Sequence, residues 1–385
     1  MIDLTEFQSI SPYTDAEAAE ALSKLADFPL ISHVSQQFFP EESPDYLKNT
    51  LKQIQTIDEF QEQVMQKFVR WVLKYTAKDF TYEGIENVSS GKKFLALSNH
   101  RDIMLDPAIT QLVLYMNNIP MTEIAVGDNL ITNETIEWLI RSNRMIKVVR
   151  GVSSRELYLC SQLLSKYIRL NITNQRSSIW LAQRQGRTKD GYDTTEQGLL
   201  KMLDMSGTAD FKTNFEELNI VPMSISYEYE PCDILKAREV VISRTQKYVK
   251  AEGEDFNSIV TGIMQPKGDI HLHIGKPLTS EEIEEAALCD KNDRYQWIRR
   301  AVDRRVIDGY KLFKNNYIAY DLVNGESKYA ELYEQADVEK FVGYMEKQLD
   351  TVEPEVNRDE LKEVFLNIYA NPVFTKELLQ RGELD

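Results

Sequence analysis

Phe94-Leu95-Ala96-Leu97-Ser98 runs without a break into Asn99-His100-Arg101-Asp102-Ile103-Met104-Leu105-Asp106-Pro107. A short apolar run of this kind reads as a buried strand. It delivers the histidine that follows to the carboxyl end of a sheet, where open α/β sheets place their ligands. Asp102 and Asp106 both lie within six residues of His100. A neutral imidazole accepts a hydroxyl proton near neutral pH, and a carboxylate fixes its tautomer. His100 is therefore the candidate general base, with Asp106 or Asp102 as the acid that orients it. The same stretch also supports a reading without catalysis, in which Asp106 is an N-cap and Pro107 the first helical residue.

Outward from this point, apolar runs alternate with helical patterns. Strands are expected at 94–98, 122–126, 146–149, 178–182, 220–227 and 269–274, separated by helices after Asp106, around 136–140, and over 155–170, 195–205 and 233–248. Such alternation implies crossover connections and an α/β fold, a largely parallel sheet flanked by helices. Helices are expected before it at 15–26 and 58–77. In the second, Phe60, Val64, Phe68, Trp71, Val72 and Tyr75 form an amphipathic stripe that packs on a core or lies along a membrane interface. Beyond 278 the chain reads as helical and acidic. The expected organisation is a helical N-terminal segment, 1–82, an α/β domain, 83–278, and an acidic helical C-terminal segment, 279–385. Pro222, inside a strand run, marks an edge or a bulge.

With 42% hydrophobic and 28% charged residues the composition is that of a globular protein. Three scattered cysteines, Cys160, Cys232 and Cys289, suit neither a disulfide framework nor a thiolate metal site. The expected compartment is a reducing cytoplasm. No segment approaches the roughly 18 apolar residues of a membrane span, and the opening residues do not read as a signal peptide. Membrane contact is thus expected to be peripheral, on the inner face. A net charge of −16 speaks against nucleic acid as a partner. That average hides a basic block: residues 141–190 carry eleven Lys and Arg against Glu156 and Asp190. Residues 281–385 hold 24 Asp and Glu against 15 Lys and Arg. His271 and His273 share one face of a strand and could hold a metal in principle. No acidic or thiol partner stands at a suggestive spacing, so no metal is expected.

Four blocks in order resemble the glycerol-3-phosphate and 1-acylglycerol-3-phosphate (lysophospholipid) O-acyltransferase family. Its members show Asn-His with an aspartate after four intervening residues, a strand ending in arginine, a Glu-Gly-Thr-Arg-like loop, and an apolar strand containing Val-Pro. Here the blocks are Ser98 to Pro107, Met145-Ile146-Lys147-Val148-Val149-Arg150-Gly151, the segment Ile179 to Gly191 containing Gln185-Gly186-Arg187, and Ile220-Val221-Pro222-Met223. The resemblance spans roughly residues 90–278 and is that of a divergent member. Five residues separate His100 from Asp106 where the family has four, and Gln185 stands where the family has glutamate. Asp106, followed by proline and an apolar helix, aligns best with the family aspartate; Asp102 is the competitor.

The resemblance implies acyl transfer from an acyl thioester, of coenzyme A or acyl carrier protein, to a hydroxyl of glycerol-3-phosphate or a lysophospholipid-like acceptor in membrane lipid synthesis. His100 would be the base and Asp106 its partner, with no cofactor beyond the thioester co-substrate. Arg150 and Arg187, helped by Arg184 and Lys189, would grip the acceptor phosphate, because guanidinium forks match phosphate oxygens. Gln185, Gly186 and Gly191 would shape the loop around that headgroup. A non-catalytic lipid- or phosphate-binding protein on the same scaffold is the alternative. A kinase is disfavoured although His100-Arg101-Asp102 copies the catalytic-loop tripeptide, because Pro107 stands where that loop needs asparagine and no Asp-Phe-Gly follows. A serine hydrolase is disfavoured by the absence of a Gly-x-Ser-x-Gly elbow.

Overall fold

A computed structural model describes residues 5–384. Seven strands form one sheet: β1 (Ala77–Glu83), β2 (Leu95–Ser98), β3 (Glu123–Gly127), β4 (Met145–Val148), β5 (Ile179–Ala182), β6 (Ile220–Tyr227) and β7 (Gly268–Ile274), in the order β1-β7-β6-β2-β5-β3-β4. From β6 to β4 all neighbours are parallel; β7 runs antiparallel to β6 and parallel to β1. The carboxyl ends of β2, β3, β4, β5 and β6 therefore share one edge. All six expected strands and the expected mostly parallel, helix-flanked sheet are present.

Strand alternation sorts the core into two layers. Leu95 and Leu97 of β2, Ile179 and Leu181 of β5, and Ile220 of β6 face a layer with Ile168, Leu200, Phe215, Ile298 and Val302. Ala96, Trp180, Val221, Met223, Ile225 and Tyr227 face the opposite layer, against the helix Leu105–Met116 and Val72. Local signals set the helix starts. Thr14 with Glu17 and Ser153 with Glu156 form capping boxes before Asp15–Leu25 and Ser154–Thr173, each pair satisfying backbone N–H groups that no helical carbonyl can reach.

Several expectations are corrected. The stretch 58–77 is one run of helix with a π-helical segment at Gln61–Met65, and it ends at Thr76 because Ala77 turns extended into β1. The boundary at 82/83 thus cuts a strand of the sheet. Phe60, Val64 and Val72 of its stripe are buried, and Trp71 packs edge-on against Phe38, so the stripe serves the core. A helix that the sequence pattern does not mark lies at Glu254–Met264. Pro222 lies in an inner strand. Its carbonyl accepts from Gly275 N–H where β7 pairing ends, so the missing proline donor falls where no ladder bond is needed. The C-terminal segment is a helical addition, as expected, and it packs into the cores of the domain. Tyr295, Ile298 and Val302 of the helix Asp293–Gly309 belong to the sheet's own core, and Phe341, Phe365 and Tyr369 pack with Ile234 and Val241 of the helix Asp233–Thr245.

Candidate active site

Continuing the β2 alternation past Ser98 puts His100 on the side of Ala96, the layer occupied by the helix Leu105–Met116. Asp106, in the first turn of that helix, meets it there: Asp106 Oδ2 lies 3.0 Å from His100 Nδ1. The same oxygen accepts the backbone N–H groups of Arg101 (2.6 Å) and Asp102 (2.8 Å). Asp106 Oδ1 accepts the Tyr227 hydroxyl at 2.8 Å. With every other neighbour a donor, Asp106 is an acceptor, and it holds His100 in the tautomer with hydrogen on Nδ1. That leaves the Nε2 lone pair free. The imidazole sits edge-on to Trp180, ring centroids 5.8 Å apart, and its side chain is 14% exposed. It is shielded but reachable.

Asp102 does different work. Its Oδ1 accepts the N–H groups of Met104 and Leu105, closing the turn that starts the helix, and it makes no hydrogen bond to His100. Its Oδ2 is buried without a hydrogen-bond partner among the described residues, and a methyl group on Gly262 would lie 2.1 Å from it. Burial, and then the neighbouring Asp106, raise its carboxyl pKa above the ordinary aspartate value. The helix begins at Leu105, two residues before Pro107, with Met104 at its N-cap position, so Asp106 is not the cap and lies within the first turn. The fifth residue between His100 and Asp106 is absorbed in this turn without loss of the pair.

Backbone hydrogen bonds tie the loop after β5 to the His100 loop. Gln183 N–H donates to Ser98 O at 2.8 Å and Thr188 N–H to His100 O at 2.7 Å. Asp193 gathers Asn99 Nδ2 (3.0 Å) and Arg101 Nη2 (2.6 Å) on one oxygen and Thr188 Oγ1 (2.9 Å) on the other. The fully buried Arg101 also reaches Gly191 O and Glu230, and Lys236 Nζ joins Glu230 to Arg101 O. Two cations and two carboxylates compensate one another there, which burial requires. Asp193, Arg101 and Tyr227 were not legible as site residues, because their partners come from other elements.

A cleft of about 180 Å³ opens beside the end of β5, lined on its apolar side by Val148, Leu164, Leu181 and Leu199. Arg150, Arg184 and Gln185 line it together with Ala182, the register partner of Ser98. The Arg150 guanidinium lies against Gly127, where a methyl group would stand 2.9 Å from Cζ. Burial lowers its pKa, opposed by Asp128, Glu196 and Asp255. Arg184 Nε is buried without a hydrogen-bond partner among the described residues.

The remaining predicted residues divide. Arg187 is not among the cleft residues; its charge bears on Asp102 and the Cys232 thiol beneath the His100 loop, and its Nη1 is buried without a hydrogen-bond partner among the described residues. Arg150 and Arg187 therefore do not line one cleft, as the sequence reading required. Lys189 forms an ion pair with Glu239 and is not among the residues lining the cleft. Gly186 and Gly191 adopt φ of +75° and +83°, a region that favours glycine. At Gly191 a side chain would also strike Ile368 O, 2.5 Å away.

Residues 79–226 match the family model described as Acyltransferase. No curated protein matches the chain. Among solved structures, the chain is similar to the crystal structure of the 1-acyl-sn-glycerophosphate (LPA) acyltransferase PlsC from Thermotoga maritima. The identity is 12% and the TM-score 0.38, over 74% of this chain and 92% of that one.

Proposed function

From the match of residues 79–226 to the acyltransferase family model, we propose that this chain is an O-acyltransferase of glycerolipid synthesis. It moves a fatty acyl group from a thioester of coenzyme A or acyl carrier protein to a hydroxyl of glycerol-3-phosphate or a lysophospholipid-like acceptor. The observation that carries this reading is the His100–Asp106 pair at the carboxyl edge of the parallel strands; the cleft with the cationic rim opens by the end of the neighbouring β5, with its apolar wall in the other core layer and His100 not among its lining residues.

In this mechanism His100 Nε2 takes the acceptor hydroxyl proton as the oxygen attacks the thioester carbonyl. The new ester C–O bond forms, the C–S bond breaks, and the imidazolium returns its proton to the departing thiolate. Asp106 keeps the ring oriented and balances its transient charge. No protein nucleophile is required, and much of the acceleration comes from holding the two substrates in line. Arg150 and Arg184 hold phosphate oxygens of a substrate, and the apolar wall takes acyl methylenes.

The protein acts in the cytoplasm, peripherally on the inner face of the membrane. Val152, Leu157, Tyr158 and Leu159 are exposed around the start of the helix Ser154–Thr173, close in sequence to Arg150 and Arg155, a pairing of apolar and basic groups suited to an anionic lipid surface. Among the described residues no helix is long and apolar enough to cross a membrane.

The test is to incubate the purified chain with labelled acyl-CoA and acyl carrier protein thioesters against glycerol-3-phosphate and lysophospholipid acceptors, identifying products by mass. Acyl ester is expected, and His100→Ala lowers its rate by about 10²–10⁴-fold, the usual contribution of a positioned base. Undiminished transfer by His100→Ala would overturn the base assignment. Absence of transfer with every pair would overturn the substrate assignment.

A further inference from the structure

On the face of β7 opposite the one carrying Ile270, Leu272 and Ile274, His271 and His273 stand side by side. Parallel pairing sets Thr81 beside His271 and Glu83 beside His273, so the edge strand β1 adds a carboxylate to the same face. The sequence alone showed no acidic partner for the two histidines; strand register supplies one from 190 residues away.

Glu83 Oε1 lies 2.8 Å from His273 Nδ1 and 3.5 Å from His271 Nε2, and one ligand atom from each of the three residues falls within 4.8 Å of the others. A tetrahedral zinc ion bound at about 2.0–2.1 Å needs its ligands about 3.3 Å apart. The observed separations bracket that figure, so side-chain rotation without backbone movement brings the donors onto an ion. The Thr81 hydroxyl stands 2.8 Å from His271 Nδ1, which occupies that nitrogen and leaves Nε2 aimed at the cluster. Metal-bound histidines are held in this way by an outer hydrogen bond. His273 is braced from behind, since a methyl group on Gly309 would lie 2.2 Å from its ring. The two imidazoles are mostly buried while Glu83 is 61% exposed, which provides an entry path. Lys311, Lys376 and Asp308 are the charged groups bearing on the cluster from the C-terminal side. With Glu83 included their charges cancel.

The geometry points to a divalent-cation site of the zinc class at Glu83, His271 and His273, joining the edge strand β1 to β7. Two imidazole nitrogens and one carboxylate oxygen form a mixed donor set of borderline softness, and water completes the tetrahedron. The site lies on the two strands that run opposite to β2, and it owes nothing to the acyl-transfer reading.

The test titrates Zn²⁺ alone into chelator-stripped, tag-free full-length protein by calorimetry, with Co²⁺ absorption as the reporter of coordination geometry. One equivalent is expected to bind, Tm is expected to rise with Zn²⁺, and Co²⁺ is expected to give the intense visible bands of a tetrahedral site. Glu83→Gln and His273→Ala should abolish all three responses. Thr81→Val should weaken binding by about 10–100-fold, as loss of an outer-shell partner does. Circular dichroism confirms that the variants fold, and Glu83→Gln, at an exposed position, keeps the test valid if His273→Ala does not. Binding that is absent from the unaltered chain, or undiminished in Glu83→Gln, would mean a simple ion-paired cluster and would overturn the proposal.

Discussion

Among the described residues, Asp106 is the carboxylate that meets His100 and sets its tautomer. Asp106→Asn places an amide against Nδ1 and against two backbone donors that need an acceptor. We expect kcat to fall by about 10²–10⁴-fold with little change in KM. Tyr227→Phe removes the one donor to Asp106 Oδ1 among the described residues, while the pair itself remains. Its expected effect is a stability loss of about 1–3 kcal/mol from an unsatisfied buried acceptor, with a smaller loss in kcat. Urea unfolding and steady-state kinetics on both variants separate the two roles; equal kcat losses would put Tyr227 in the chemistry itself. The choice between Asp102 and Asp106 could not be made from spacing, because each stands within a turn of His100. It follows instead from which carboxylate the helix start turns toward the ring and which it spends on its own N–H groups.

At the scale of elements, the proposed mechanism gives the loop following β5 the task of holding a substrate. Arg150 closes β4 and Arg184 follows β5, so two adjacent crossover units supply one cationic rim. Arg150→Ala and Arg184→Ala should each raise KM for the phosphate-bearing substrate more than they lower kcat, and the rise should shrink with added salt. Arg187→Ala should behave differently, since its guanidinium bears on Asp102 and Cys232. A KM effect for Arg187→Ala equal to that of Arg150→Ala would contradict this division. Gly191→Ala forces a side chain into a left-handed conformation and onto Ile368 O. A loss of at least about 1–3 kcal/mol in thermal or urea unfolding is expected, with weaker substrate binding as the loop shifts; an unchanged Tm would show that the loop relaxes freely.

At the scale of the whole molecule, the C-terminal helices pack on the segments that carry the candidate site. Asp303, on the helix Asp293–Gly309, accepts Thr195 N–H at 2.8 Å and Thr195 Oγ1 at 2.6 Å, just beyond the substrate loop. Burial, opposed by those hydrogen bonds, pushes its carboxyl pKa up to about 6. The folded chain therefore holds this proton more tightly than the unfolded one, whose aspartate titrates near 4. Its contribution favours folding at low pH and is lost as pH rises through about 6. Asp303→Asn escapes that loss, so its stability relative to the natural chain should rise by about 1–3 kcal/mol between pH 4 and pH 7. Urea unfolding across that range checks it, and a gap that does not change with pH would contradict it. The sequence by itself determined the parallel strands, the crossover helices and the histidine at the carboxyl edge, because hydrophobic period and capping chemistry act over a few residues. Only the tertiary structure decided that β1 extends the sheet, that Asp106 and not Asp102 holds His100, that Arg187 and Lys189 leave the cleft, and that Glu83 joins His271 and His273. Each of these rests on contacts between segments far apart in the chain, or on the direction in which a turn points a side chain, and neither leaves a periodic mark in the residues themselves.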